Sequence, residues 1–226
     1  MDLMFDISGL ANDEERFTDS KKDVLKYLKM IGVDTRFISY TPDKIYINNL
    51  RFSKFSRKRE ATFLKQYPDM EVVRNSLFQK ICSKSSRVLS LEIEPNSRIL
   101  MPEDNFIIEL LMEPYTRKYG VELVYEGEAD LVVNPVILDD EVNGIFESIF
   151  SGDGLKLDKK DNEIYPLINV SLDWINSFLQ MDGRDVVECE NKNELAISFS
   201  EFLDDVAPQY KENVLKASEY VISKNS

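Results

Sequence analysis

The stretch that decides the fold covers residues 129–157 and reads ADLVVNPVILDDEVNGIFESIFSGDGLKL. Its first half is almost continuously apolar, as in a strand buried on both faces of a parallel sheet, with Pro135 as the interruption. Asp139, Asp140 and Glu141 follow directly, at the cap and first turn of a helix, where carboxylates are favoured. Apolar residues then recur at spacings of three and four up to residue 150. The stretch therefore predicts a strand, an acidic turn and a helix at the edge of a ligand crevice.

The preceding residues repeat this alternation of strand and helix. Residues 2–9 predict a short strand, residues 20–31 a helix that ends at Gly32, and residues 33–40 and 45–47 two further strands. The other predicted elements are a helix over 72–83, a strand over 87–93, a turn or short hairpin over 95–102, a helix over 103–119 and a strand over 121–125. The alternation favours a Rossmann-like α/β fold with a parallel sheet of about five strands and flanking helices.

The chain is predicted to form one domain, residues 1–226, with two additions. The first is a basic insertion at about 48–100: Arg51 to Arg98 contain 11 Lys and Arg against 5 Asp and Glu, a local charge of +6 in a chain whose net charge is −13. The second is a helical C-terminal extension, residues 170–226, with helices that begin near 170, 194 and 208. A basic segment in an acidic chain indicates a surface that faces a partner.

The composition excludes several kinds of chemistry. The 226 residues contain no histidine, which removes the Ser-His-Asp triad, the Cys-His dyad and histidine metal sites. The two cysteines, Cys82 and Cys189, form no CxxC pair, so we expect neither a disulfide framework nor zinc. No apolar span approaches the roughly 20 residues of a transmembrane helix, and the first residues are acidic, so we expect a cytoplasmic protein without a membrane partner.

A run of basic and aromatic residues begins the insertion. Its cations are Arg51, Lys54, Arg57, Lys58 and Arg59, and two phenylalanines, Phe52 and Phe55, lie between them. Such a run can bind RNA, because cations neutralise phosphates and aromatic rings stack on bases. The alternative is a solvated surface segment whose phenylalanines pack into the core. The sequence leaves both interpretations open.

Several residues match a known motif. Laid without gaps on the pattern A-D-x-x-x-T-G-H-N-L-D-D-E-A-Q, the chain has Ala129, Asp130 and the four residues 138–141 in register. Further along, Gly152-Asp153 and Glu188-Cys189 occupy the places of similar pairs. In these residues the chain resembles the PP-loop ATP pyrophosphatases, in the tRNA 2-thiolation group of 2-thiouridine and 2-thiocytidine synthetases.

The resemblance implies a site for ATP and Mg²⁺. Ser8 and Gly9, after the first predicted strand, correspond to the start of the family's SGGKDS loop, and Asp139 and Asp140 would contact the nucleotide or its metal ion. The residues alone allow a second interpretation, in which Asp139 and Asp140 serve only as helix cap and first-turn acids.

The chain also departs from the family pattern. Residues 10–13 are Leu-Ala-Asn-Asp where the family has Gly-Lys-Asp-Ser, so close backbone approach and a phosphate-neutralising charge are both lost. Residues 135–137 are Pro-Val-Ile in place of Gly-His-Asn, and the family's CxxC cysteines are missing. We therefore expect a degenerate member without an iron–sulfur cluster or other metal site.

Three functions remain open at this stage. The first is a noncatalytic or partner subunit linked to tRNA thiolation. The second is an active enzyme that adenylates and thiolates a tRNA base with ATP. The third is a protein-interaction module unrelated to RNA. The expected partner is tRNA or a protein partner subunit.

Overall fold

The computed structural model describes residues 20–155, 160–191, 193–207 and 209–225. Helix α1 covers residues 20–30, and a 3-10 turn, Thr35–Phe37, follows it. The strands are β1 (Ile38–Tyr40), β2 (Lys44–Ile47), β3 (Glu71–Val73), β4 (Arg98–Leu100), β5 (Glu122–Val124), β6 (Leu131–Val133) and β7 (Glu163–Ile164). The other helices are α2 (Leu50–Ser53), α3 (Arg57–Gln66), α4 (Ser76–Glu92), α5 (Phe106–Met112), α6 (Tyr115–Lys118), α7 (Leu138–Phe150), α8 (Leu172–Met181), α9 (Glu194–Val206) and α10 (Tyr210–Asn225).

A parallel sheet with flanking helices confirms the predicted α/β fold. Its strand order is β5-β4-β6-β7, and each neighbouring pair is parallel. It contains four strands where about five were expected. Ile99 of β4 and Val133 of β6 are buried in the main apolar core, which explains the continuous apolar composition of the stretch at 129–138.

The predicted strands at 33–40 and 45–47 form a separate sheet of order β1-β2-β3. Strands β1 and β2 are antiparallel because a tight turn joins them: Thr41 N donates to Lys44 O at 2.9 Å. A connection this short cannot make the crossover that parallel neighbours require. Strand β3 then pairs in parallel with β2.

A buried ion pair joins the two sheets. Glu113, at the end of α5, accepts a hydrogen bond from Tyr40 N at 3.2 Å and forms a two-armed pair with Arg117 of α6. Arg117 also donates to Thr35 O at 2.9 Å and Ile38 O at 2.7 Å. The helices after β4 are thereby attached to the edge of the first sheet.

Two predicted elements differ in the structure. Residues 87–93, predicted as a strand, lie in α4 and at its end, because Asn75 caps that helix and its buried side chains recur at helical spacing up to Leu89. Residues 95–102, predicted as a turn or hairpin, contain β4 at the interior of the parallel sheet. The segment at 48–100, expected as a basic insertion, supplies α2, α3, β3, α4 and β4.

The C-terminal residues are helical, as predicted. Helices α9 and α10 both pack on α7, around a small core that includes Phe146, Ala196 and Tyr210. Within the described ranges, none of the helices combines the length and the apolar character that crossing a bilayer requires.

Candidate functional site

The parallel sheet has a switch point between β4 and β6. From β4 the chain runs through α5 and α6 to β5 on one side, and from β6 it runs through α7 to β7 on the other. Open α/β sheets bind ligands in the crevice outside the carboxyl ends of the two strands at such a point. We call this region the switch-point crevice.

The switch-point crevice has a volume of about 370 Å³. One wall is the start of α5, with Asp104, Asn105 and Phe106, and another is the segment from Pro135 to Asp140. The third wall is the segment at 182–191 that follows α8, called here the strap. This size falls within the range of about 300–1,000 Å³ that is usual for small-molecule pockets.

The loop after β4, residues 101–105, takes the position at which a phosphate-binding loop would enter the crevice. It contains Glu103 and Asp104 and no lysine or arginine. Asp104 adopts a left-handed backbone conformation with a φ of 52°, and Asn105 caps α5 by accepting from Ile108 N at 3.1 Å. The sequence assigned this role to Ser8 and Gly9, which lie outside the described residues. The loop after β4 is the part of the site that sequence reasoning missed, because residues 95–102 were predicted as a turn or short hairpin and residues 103–119 as a helix.

The two predicted acids, Asp139 and Asp140, point to different surroundings. Asp139 is buried and accepts from Leu172 N, the first residue of α8, at 2.6 Å, and from Lys211 Nζ at 2.8 Å. It therefore caps a helix, as one interpretation held, but the helix is α8 and not its own. Asp140 lines the crevice and accepts from Asn191 N at 3.0 Å.

Lys211 of α10 completes the arrangement around Asp139. Its ammonium also contacts Asp204 at 3.0 Å. Burial alone would lower the pKa of Lys211, but the hydrogen bond and charge of Asp139 outweigh it and raise the pKa. Asp139 thus joins α7, α8 and α10, and each of its carboxylate oxygens already accepts a hydrogen bond within the protein.

The strap is held in place at its start and at its middle. Val187 N donates to Asn176 Oδ1 at 2.9 Å, while Asn176 Nδ2 donates to Val187 O at 3.0 Å. Near its start, Asp182 accepts from Tyr46 Oη at 2.8 Å and from Lys44 Nζ at 3.0 Å. Burial, followed by Asp182, raises the pKa of Tyr46, so the phenol remains a donor.

Arg184 is the one cation among the described residues that line the crevice. Its Nε donates to Asp182 at 3.1 Å, and its guanidinium carbon lies 3.3 Å from the ring centroid of Phe106. Five carboxylates share the lining: Asp104, Asp140, Asp185, Glu188 and Glu190. The crevice is therefore strongly acidic and unsuited to a polyphosphate, which needs several cations or N-H donors.

Cys189 is half-buried in the strap. Burial raises the pKa of the Cys189 thiol to about 12, and the charges of Asp140 and Asp139 with a hydrogen bond to Asp140 add to the effect. Since the thiolate is the nucleophilic and metal-binding form, the raised pKa lowers the reactivity of this thiol.

The predicted basic run lies on α2 and the start of α3, far along the chain from the crevice. Arg51, Lys54, Arg57 and Lys58 are exposed. Arg59 is half-buried, and its guanidinium donates to the backbone oxygens Ile31 O at 2.9 Å and Lys54 O at 2.5 Å. The exposed Arg57 pairs instead with the Glu60 carboxylate, at 3.0 Å. We call the four exposed cations the α2–α3 basic surface.

The two phenylalanines of this run also differ in their exposure to solvent. Phe55 is fully buried and packs edge-on against Phe63. Phe52 is 52% exposed, and the Arg51 guanidinium lies 5.9 Å from its ring centroid. The interpretation that the phenylalanines pack into the core is therefore correct for Phe55 and wrong for Phe52, and RNA binding by the run stays a prediction.

One comparison, with solved structures, bears on the class of fold. The chain has a Rossmann-like α/β fold, with the crevice outside the carboxyl ends of the parallel strands. It is similar to the solved structure of U34-tRNA thiolase NcsA from Methanococcus maripaludis with its [4Fe-4S] cluster: the TM-score is 0.50 and the identity 12%, over 70% of this chain and 83% of that chain. No family model matches the sequence, and no curated protein does.

The cofactor prediction, ATP with Mg²⁺ and neither zinc nor an iron–sulfur cluster, is wrong on this comparison. The thiolase structure that shares the fold contains a [4Fe-4S] cluster, so the fold itself gives no reason to exclude one. The residues of this chain do not fit such a group, because clusters are held by several cysteine thiolates and the chain has two cysteines, one of them buried in the core. The described residues contain no group of three or more His, Cys, Asp or Glu side chains placed to hold a metal ion.

Proposed function

We propose that this protein is a noncatalytic, degenerate relative of the tRNA thiolases that binds RNA through the α2–α3 basic surface. Its role would be that of a partner subunit in tRNA thiolation. The observation that carries the proposal is the separation of charge: the switch-point crevice is acidic, and the exposed cations lie together on a different surface.

The acidic crevice supports a noncatalytic role. Phosphoryl transfer and adenylation need positive charge around the phosphates, whereas Arg184 is already engaged by Asp182 and Phe106. Asp139 is engaged by α8 and α10. Burial and Asp140 raise the pKa of the Cys189 thiol, which disfavours the thiolate that a sulfur carrier needs.

The basic surface supports RNA as the ligand. With a net charge of −13, most of the protein surface repels a polyanion, so binding must be confined to a local cluster of cations. Arg51, Lys54, Arg57 and Lys58 form such a cluster, and the exposed ring of Phe52 lies among them. Exposed cations with an aromatic ring suit a single-stranded or looped RNA.

The test is the salt dependence of tRNA binding. We expect Arg57→Glu with Lys58→Glu to weaken binding at least about tenfold and to reduce the log–log salt slope by about two. Arg59 is left intact because its substitution would disturb α1 and α2. Lys216→Glu with Lys224→Glu, on α10, makes the same change in net charge and is the matched control. Equal affinity and slope in the two double variants would refute the proposal.

A protein partner is the second candidate, and α9 favours it. Leu195, Phe199, Phe202 and Val206 form an exposed apolar stripe on this helix. The same helix carries Glu194, Glu201, Asp204 and Asp205, so the stripe is complementary to a basic amphipathic segment. Saturable binding of a lysine-rich amphipathic peptide, abolished by Phe202→Glu, would support this function. Binding that survives Phe202→Glu would reject it.

A further inference from the structure

A second cavity, of about 230 Å³, lies between the 3-10 turn, α2, α4 and α6. Its lining includes Phe37, Phe52, Ser85 and Lys118. We call it the Lys118 pocket. Its volume is below the roughly 300–1,000 Å³ of pockets for drug-sized ligands, so it suits one small unit. The pocket adjoins the α2–α3 basic surface, since the ring centroid of Phe52, in its lining, lies 5.9 Å from the Arg51 guanidinium.

Lys118 is a cation that forms no ion pair within the described residues, although the charge of Asp34 acts on it. Its ammonium lies 4.4 Å from the ring centroid of Tyr115 and 5.2 Å from that of Phe37. Among the described residues, no carboxylate forms an ion pair with it, whereas the neighbouring Arg117 is paired with Glu113. Burial lowers the pKa of Lys118, which shows that part of its hydration is already lost. A bound anion would compensate the Lys118 ammonium for this lost hydration.

Ser85 supplies the second observation. Its hydroxyl is buried, and within the described part of the chain it has no hydrogen-bond partner. The adjacent Ser86 differs, because its hydroxyl donates to Ser83 O at 3.1 Å. Buried polar side chains are rarely left unpaired. An unpaired hydroxyl in the lining of a pocket therefore indicates a hydrogen bond to a polar group of a ligand.

The outer part of the pocket is aromatic and cationic. The rings of Phe37 and Phe52 lie 5.2 Å apart with their planes 34° from parallel. Arg36 lies 6.0 Å from the Phe37 ring centroid, and Arg51 lies 5.9 Å from that of Phe52. Rings with cations beside them form the kind of platform on which nucleobases stack.

We infer that the Lys118 pocket receives one unpaired nucleotide of an RNA strand. The base stacks on Phe52 and Phe37, the phosphate pairs with Lys118, and a polar atom of the base or ribose hydrogen-bonds to Ser85. A duplex cannot offer such a unit, because its bases are stacked and paired. This inference rests on the proposed RNA-binding function and assigns its substrate class: RNA with an exposed single-stranded nucleotide.

The experiment compares a single-stranded oligouridylate with an RNA duplex of the same number of phosphates, by fluorescence anisotropy at fixed salt. Lys118→Met keeps the apolar stem and removes the charge, and Lys216→Met on α10 is the matched control. We expect Lys118→Met to weaken single-strand binding about tenfold or more and to leave duplex binding within about twofold. An unchanged single-strand affinity, or an equal loss on the duplex, would overturn the inference.

Ser85→Ala gives an independent readout. If its hydroxyl is satisfied only by the ligand, the free variant melts at a higher temperature while its single-strand affinity falls severalfold. A lower melting temperature with unchanged affinity would contradict the assignment. Free uridine monophosphate tests whether the ligand is a free nucleotide or a nucleotide within an RNA strand. If the protein binds the monophosphate as tightly as the oligouridylate, the claim that the strand is the ligand is overturned.

The proposed function and this inference can fail separately. If charge reversal of Arg57 and Lys58 leaves tRNA binding unchanged, the proposed function is wrong. If that reversal weakens binding but Lys118→Met has no selective effect on single strands, only the pocket assignment is wrong.

Discussion

Replacement of Asp139 by alanine should destabilise the protein far more than the same change at Asp140. The Asp139 carboxylate, 11% exposed, accepts two hydrogen bonds, one from Leu172 N and one from Lys211 Nζ. Asp140 accepts a backbone hydrogen bond from Asn191 N, in the strap, at 3.0 Å. The two neighbours thus offer an internal comparison of a structural carboxylate with a crevice carboxylate.

The size of this destabilisation follows from the hydrogen bonds that Asp139→Ala removes. Removal of a helix cap costs about 0.5–2 kcal/mol, and loss of a hydrogen bond to a charged group costs about 1.5–3 kcal/mol. Asp204 retains contact with Lys211, which limits the second loss. We expect the free energy of unfolding to fall by about 2–4 kcal/mol in Asp139→Ala and by about 1 kcal/mol in Asp140→Ala. In a chain of this size the former corresponds to a melting temperature lower by about 5–15 °C.

Urea denaturation followed by circular dichroism measures both values at pH 7. Asp139→Asn adds a useful intermediate, because asparagine can still cap α8 but cannot pair with Lys211; it should lose about half as much as Asp139→Ala. A double-mutant cycle with Lys211→Met isolates the ion pair. The reasoning is refuted if Asp139→Ala costs no more than Asp140→Ala.

Three further predictions concern acid stability, thiol reactivity and the basic run. Hydrogen bonds from Lys160, Asn134 and Tyr165 lower the pKa of Glu163 from 4.5 to about 2, so its stabilisation is present above about pH 4.5 and is lost as the pH falls towards 2. Glu163→Gln should therefore flatten the decline in unfolding free energy between pH 5 and about pH 2, and a decline as steep as that of the wild type would contradict this. Cys189, with its pKa raised from 9.0 to about 12, should react with iodoacetamide at pH 8 about a thousandfold more slowly than a free thiol, and Asp140→Asn should accelerate it; free-thiol rates in the folded protein would show the assignment to be wrong. Phe55→Ala should cost about 3–5 kcal/mol and Phe52→Ala less than about 0.5 kcal/mol in urea titrations, and similar losses would mean that Phe52 is not the exposed member of the pair.

The class of fold was predictable because its strongest signals are local. The run at 129–150 combines a continuous apolar strand, first-turn acids and a helical repeat, and β6 and α7 form there. Strand β4 was missed because Arg98–Leu100 has only three residues, too few to show a pattern, and lies between Pro95 and Pro102. Its place inside the parallel sheet depends on pairing with residues more than twenty positions away, which periodicity cannot report.

The candidate site was predictable only in part. The sequence placed Asp139 and Asp140 together at the end of a buried strand, but it could not show that one carboxylate is turned towards α8 and α10 while the other lines the crevice. Likewise, the spacing of Phe52 and Phe55 gave no indication of which ring is buried. Lys118 and Ser85 had no sequence signal, because 33 positions separate them and neither belongs to a motif.

The anchoring of the strap by Asp182 limits how this protein can be divided. A fragment that begins at β4 would contain all four strands of the parallel sheet. It would lack Tyr46, whose ring lies 6.0 Å from that of Phe106 and 6.2 Å from that of Phe178, and it would lose the Tyr46 and Lys44 donors to Asp182. Such a fragment would keep the sheet but expose these rings and release the outer wall of the crevice. Dissection of the activities should therefore use point variants of the whole chain instead of truncation.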